Sequence, residues 1–184
     1  TDLENTGLYS SGDTGKGECY KDSALSQTTQ LLLGTQGGNI GITISILSVA
    51  ESQRHDGTAG TGYVINLSSR IKLVWDSDGS AGMNQKTIEW IDIDGGEAGA
   101  DHFVYNYNGG EFGWAGTISH CLIHDNHTTG DAKAIDNSSK CSICHNNIIY
   151  NIQGGENAFG IKMGESQSVC CNNTVYKVHT TESD

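Results

Sequence analysis

The chain has 184 residues, long enough for one domain with its own core. Its net charge of −12, with only 10 Lys and Arg in total, argues against nucleic-acid partners, which need a basic face for their phosphates, and against polyanionic polysaccharides. No apolar run approaches the length of a membrane span, so no membrane insertion is expected.

Residues 1–30 are polar and rich in Gly, Ser and Thr, and read as a lead-in or cap segment, with a short helical turn expected over Ser26–Leu33. The remainder, 31–184, reads as one β domain. Leu31–Leu33 and Ile40–Val49 are β-branched and alternating, with glycines between them, as strands are. Glu51–Gly62 is a polar loop. Tyr63–Leu67 and Ile71–Trp75 are short strands, and Asp76–Gly82 is a turn. Lys86–Ile93 is a strand, Asp94–Ala100 a Gly-rich turn, and His102–Tyr107 a strand. Thr117–His124 is a strand followed by a loop over Asp125–Asp131. Helical periodicity is nowhere sustained over three turns. Pro is absent, in keeping with repeated strands whose ladders need every N–H. The chain begins at Thr1 without a signal peptide and ends at Asp184 without a visible capping helix. It is therefore expected to be processed or part of something longer, with its last coil covered by further chain or by a partner.

The C-terminal third repeats. Ile143-Cys-His-Asn-Asn-Ile-Ile-Tyr150 recurs as Val169-Cys-Cys-Asn-Asn-Thr-Val-Tyr176, with a shift of 26 residues. Ala134-Ile135 and Gly160-Ile161 repeat with the same shift. Periods of this size mark solenoids. Ile88-x-x-Ile91-x-Ile93 and Ile118-x-x-Cys121-x-Ile123 fit the same template, as does Ile44-x-x-Leu47-x-Val49 further upstream, whereas the 60s region fits poorly. Stacking the coils creates columns. Ile88, Ile118, Cys144 and Cys170 form one interior column, and Ile93, Ile123, Ile149 and Val175 a second. Between them run Ile91, Cys121, Asn147 and Asn173, where inward asparagines at a bend are expected to ladder from coil to coil, since a buried amide is costly without partners.

The Asn146–Asn151 stretch with Phe159-Gly160-Ile161, and Asn172–Tyr176, resemble the repeats of right-handed parallel β-helix proteins of the pectate-lyase-like superfamily, in particular their bacterial and phage members. The resemblance covers roughly 87–178, and less clearly 31–86. It implies an all-β, right-handed parallel β-helix of about five or six coils. It fixes no activity, because this fold hosts lyases, hydrolases, tailspikes, head fibres and adhesins.

The six cysteines fit buried free thiols rather than disulfides or zinc, because Cys121, Cys144 and Cys170 fall on inward positions and His145 on an outward one. Free thiols also fit assembly in a reducing cytosol, as for a virion protein. His120 aligns with Trp90, Asn146 and Asn172 on the outside. His124 aligns with Asp94, Tyr150 and Tyr176. These are the candidate binding residues: Trp90, His120, His124, Tyr150 and Tyr176. They are read first as an outer stack, and second as a divalent or acid–base site at His120, His124 or His145. Asp76, Asp78, Asp92 and Asp94 lie in Asp-x-Asp-Gly turns and are weak calcium candidates, since ordinary turn chemistry also explains them. No other cofactor is expected.

The resemblance implies catalytic marks that can be checked. Neither Arg54 nor Arg70 lies near an aligned Asp cluster as a lyase base would, and the hydrolase motifs of polygalacturonases are absent. A carboxylate pair drawn from Asp92, Asp94, Glu97, Asp101, Glu111 and Asp125 remains open. The expectation is a non-catalytic structural or adhesive β-helix on a virion (head fibre, tailspike or decoration) or a bacterial cell surface. A homo-oligomer or larger assembly and a surface glycan are its expected partners. The alternative is a polysaccharide lyase or glycoside hydrolase on the same fold.

Overall fold

The computed structural model describes residues 13–21, 25–27, 31–33, 42–67, 71–74, 85–95, 102–107, 116–137, 143–164 and 167–181. The described chain is almost entirely strand: β1 (Asp13–Cys19), β2 (Leu25–Gln27), β3 (Leu31–Leu33), β4 (Ile42–Val49), β5 (Val64–Leu67), β6 (Ile71–Val74), β7 (Gln85–Glu89), β8 (Asp92–Asp94), β9 (His102–Tyr107), β10 (Gly116–Ser119), β11 (Leu122–Thr128), β12 (Ala132–Asn137), β13 (Ile143–His145), β14 (Ile148–Gly154), β15 (Ala158–Met163), β16 (Val169–Cys171) and β17 (Thr174–Thr180). A single 3-10 turn at Glu51–Gln53 is the only helical element among the described residues. Among the described residues no helix is long and apolar enough to cross a membrane.

Every third strand stacks on the last. One sheet runs β1-β4-β7-β10-β13-β16, a second β2-β5-β8-β11-β14-β17, and a third β3-β6-β9-β12-β15. All pairings are parallel. The result is a parallel β-solenoid with six, six and five strands in its three sheets.

The interior columns take the expected register. Ile88, Ile118, Cys144 and Cys170 are stacked partners, as are Ile93, Ile123, Ile149 and Val175. The buried core is continuous from Val49 and Ile65 to Ile149 and Ile152. Ile135 and Ile161 pair in the third sheet, as their shared spacing requires.

Several expectations are corrected. Strands Leu25–Gln27 and Leu31–Leu33 lie in place of the helical turn expected over Ser26–Leu33, of which 28–30 are outside the described residues, and the 1–30 segment contributes β1 and β2. Its polar look arises because β1 places glycines on the stack, with Gly17 paired to Leu47. The upstream template is displaced by three residues: Leu47, not Ile44, pairs with Ile88, and Ile44 pairs with Gln85. The 60s region, which seemed to fit poorly, carries Ile65 squarely on Ile93. The strands expected over Lys86–Ile93 and Thr117–His124 are each broken by a corner. Trp90 (φ 63°) and His120 (φ 53°) turn the chain there in the left-handed region, as do Asn146 (56°) and Asn172 (53°) above them. The loop expected over Asp125–Asp131 is largely strand, because β11 runs on to Thr128 after a second left-handed corner at Asp125 (57°), repeated at Asn151 and Lys177.

Among the described residues no strand stacks on the outer edges of β16 and β17. Val175 is 44% exposed where its column partner Ile149 is 0% exposed. Cys170, expected to be a buried thiol, is exposed for the same reason, while Cys121 and Cys144 are buried and free.

Candidate functional site

The asparagine ladder forms where the repeat puts it. Asn147 Oδ1 accepts the Cys121 N–H at 2.9 Å, and its Nδ2 donates to Ile118 O at 3.0 Å and to Asn173 Oδ1 at 2.9 Å. Asn173 repeats this one coil on, accepting Asn147 N–H at 3.0 Å and donating to Cys144 O at 3.0 Å. Each amide thus satisfies backbone groups that the corner pulls out of the sheet ladder. The ladder is a framework, and the chemistry lies on the outer flank beside it.

The flank between the first and second sheets carries a first stack. Trp90 and His120 occupy successive left-handed corners, so their rings leave the coil in the same direction and lie 4.5 Å apart with 13° between planes. The Arg54 guanidinium lies over Trp90, 4.7 Å from the ring centroid. Trp90 thus contacts both a stacked imidazole and a guanidinium. His120 accepts from Asn146 Nδ2 at 3.0 Å through Nε2, which leaves the proton on Nδ1. Burial, with the nearby His145 charge, holds the His120 pKa below the ordinary imidazole value. His55 donates through Nε2 to the His120 carbonyl at 2.8 Å, its tautomer set by the Gly57 N–H on Nδ1. The 54–63 loop is thereby tied across the flank, with Gly60 N–H donating to Asp92 Oδ2 at 2.7 Å. This cover explains why Leu122, on the outward column with Asp92 and Ile148, is fully buried yet outside the main core.

A second stack runs beside it. His124, Tyr150 and Tyr176 pair in register, with ring centroids 5.0 and 5.1 Å apart and planes within 13°. Burial, followed by the charge of Asp125, pushes the Tyr150 hydroxyl up to about 12.

At the foot of this stack lies a cluster of carboxylates around one imidazole. Asp92 is fully buried, and its Oδ1 accepts from His124 Nε2 at 2.9 Å. On the other side of the ring, His124 Nδ1 faces Asp125 Oδ2 at 2.7 Å and Asp94 Oδ1 at 3.9 Å. Burial would lower the His124 pKa, but the bonds to Asp92 and Asp125 outweigh it and push the value up to about 9. Burial raises Asp125, yet its bonds from Asn151 and His124 hold it below the ordinary carboxylate range. Gly95 lets the next coil approach: a Cβ there would stand 2.0 Å from the Phe103 ring and 2.5 Å from the Asp125 carbonyl.

The structure therefore groups Trp90 with His120, and His124 with Tyr150 and Tyr176. His124, expected on the outer surface, is on the outside of the coil but buried at 4% exposure. Of the calcium candidates, Asp92 has both oxygens engaged, Asp94 is half-buried, and Asp76 and Asp78 lie outside the described residues. Glu97, Asp101 and Glu111 also lie outside them. Sequence reasoning missed the contact of Arg54 with Trp90 and the roles of Asp125 and Asn151. Aligning the second corner column, Asp125–Asn151–Lys177, would have found the last two.

Searches against known families, curated proteins and solved structures gave no match.

Proposed function

We propose that this chain is a non-catalytic structural and adhesive β-helix, exposed on a phage virion as a head fibre, tailspike or decoration, or on a bacterial cell surface, and of the right-handed pectate-lyase-like kind that its repeats resemble. The observation that carries the reading is the way the flank uses its rings. Trp90 packs against Arg54 and His120, and Tyr150 lies between His124 and Tyr176. Sugars stack on open ring faces, and these faces are filled by neighbouring coils. The rings act as a spine that locks coil to coil, which suits a rigid shaft. Tyr176 is the ring with a face not covered by another of the stack, and at 45% exposure it is the place for a surface glycan to rest. The strongly acidic charge suits an exposed, non-sticky surface.

A polysaccharide lyase or hydrolase is the second reading. In its favour, carboxylate oxygens of Asp94 and Asp125 lie within 4.8 Å of one another. A glycosidase pair needs one carboxyl protonated near neutral pH, and Asp125 is held ionised by His124 and Asn151. The deciding experiment is to find the particle or cell fraction with which the protein copurifies, and to screen it against bacterial polysaccharides. Copurification with virions or envelopes and binding without depolymerisation are expected. Turnover of any polysaccharide would overturn the reading.

A further inference from the structure

We propose that Asp94, His124 and Asp125 form a binding site for a divalent transition-metal ion, with Asp92 as the buried carboxylate that orients the histidine. The proposal is independent of the adhesive reading above.

His124 is engaged at both ring nitrogens. Asp92 accepts from the Gly60 N–H through one oxygen and from His124 Nε2 through the other. An ionised carboxylate is acceptor-only, so Nε2 must carry a hydrogen. A neutral His124 would then turn its Nδ1 lone pair onto Asp125 Oδ2 at 2.7 Å, acceptor against acceptor. Something positive has to stand between them. Asp94 Oδ1, 3.9 Å from the same nitrogen, completes a three-residue donor set that a divalent cation can occupy.

The surroundings are built to receive one. The ring cannot rotate away, because Tyr150 stacks on it at 5.0 Å and Asp92 holds its far edge. Asp94, His124 and Asp125 each offer one ligand atom, and these atoms all lie within 4.8 Å of one another. Tetrahedral ligands about 2.0–2.2 Å from an ion sit roughly 3.4 Å apart. Nδ1 must therefore part slightly from Asp125 and draw closer to Asp94, now 3.9 Å away. Both carboxylates are about one-third exposed and can make that adjustment, while the histidine stays fixed. A buried carboxylate behind a metal-binding histidine fixes its tautomer and raises its basicity. Three carboxylates against one imidazolium leave this corner at −2 by simple count, which favours a doubly charged ion. The single nitrogen sets the class. Imidazole suits zinc and its neighbours, whereas calcium takes oxygen ligands only. The ligands come from two coils, β8 and the β11 corner, so binding would pin neighbouring coils together.

The test uses the intact chain, freed of metal with a chelator and titrated with Zn2+ and then Co2+. Exposed Cys170 and Cys171 could also take these ions, so the Cys170→Ser/Cys171→Ser double variant is titrated in parallel. Site variants are Asp94→Asn and Asp125→Asn; asparagine tolerates the left-handed corner at 125 and keeps the shape. Circular dichroism in chelator verifies that each variant folds. The expected result is one equivalent of ion bound by the double-cysteine variant, a Co2+ spectrum without a thiolate charge-transfer band, and affinity reduced at least tenfold in each Asp variant. The His124 Nδ1 resonance should shift on Zn2+ addition. Binding that vanishes with the cysteines, binding unchanged in both folded Asp variants, or no binding below millimolar Zn2+ would each overturn the proposal.

Discussion

Replacing Asn147 with alanine tests the corner ladder directly. The side chain is buried, and its removal orphans the Cys121 N–H and the Ile118 carbonyl, both held at 2.9–3.0 Å. A buried group left without its partner costs about 1–3 kcal/mol, so two of them put the loss at roughly 2–6 kcal/mol, with partial relaxation leaving about 3 kcal/mol. For a chain of this size that is a fall of about 6–12 °C in melting temperature. Asn173→Ala is the internal control. It removes the same two kinds of bond, to Asn147 N and Cys144 O, but from the half-buried last coil, where water can replace the amide. Its expected cost is about 1 kcal/mol. Thermal unfolding by circular dichroism gives the global effect. Native-state hydrogen exchange reads the cause, because the Cys121 amide should exchange much faster in Asn147→Ala and hardly change in Asn173→Ala. Equal destabilisation by the two variants, or an unaltered Cys121 amide, would refute the ladder as the reason for asparagine here.

Three other outcomes follow from the corners and the open coil. Asn172 sits at φ 53° and is exposed, so Asn172→Gly should be neutral within about 0.5 kcal/mol, while Asn172→Ala should cost about 1 kcal/mol by chemical denaturation, since Gly lacks a Cβ and the short polar Asn side chain bonds locally in the left-handed region, whereas Ala has a Cβ and no such bond. His120 has a folded pKa below its unfolded value, so between the two the unfolded chain binds more protons. Stability should therefore decline as the pH falls below about 6.5, and His120→Asn should flatten that decline in a pH series of melts. Thiol labelling under native conditions should modify Cys170 and Cys171 quickly and spare Cys121 and Cys144, because burial pushes the Cys121 thiol up to about 12 and raises Cys144 as well. Rapid native labelling of Cys121 would contradict the closed core.

The columns were legible in the sequence wherever the spacing stayed at 26 or 30 residues, because one aliphatic per strand must land on its predecessor or leave the core. The register failed at Ile44–Val49 for an equally physical reason. An alternating strand offers apolar residues at several phases, and the 51–63 insertion removes the fixed interval that would choose among them. The first coil escaped notice because small residues such as Gly17 carry no hydrophobic signal. At the candidate site, the alignment of His124 with Asp94, Tyr150 and Tyr176 was readable. The bond from His124 to Asp92 was not, since it runs diagonally between columns, and neither was the contact from Gly60, which comes from a loop outside the repeat.

The recurrence of left-handed corners has a consequence for how such a chain changes length. Asn146 (φ 56°) and Asn172 (φ 53°) share a left-handed φ at the same point of successive coils. Excising residues 147–172, a block of 26, would join Asn146 to Asn173 across equivalent conformations. Tyr176 would then fall on His124 and Val175 on Ile123, with every column preserved. The molecule would be shorter by one strand spacing, about 4.8 Å, with Asp92, Asp94, His124 and Asp125 still in place. Duplicating the same block would lengthen it by that step. Length in this architecture is a counted quantity, adjustable by gene segments of fixed size without redesigning the core.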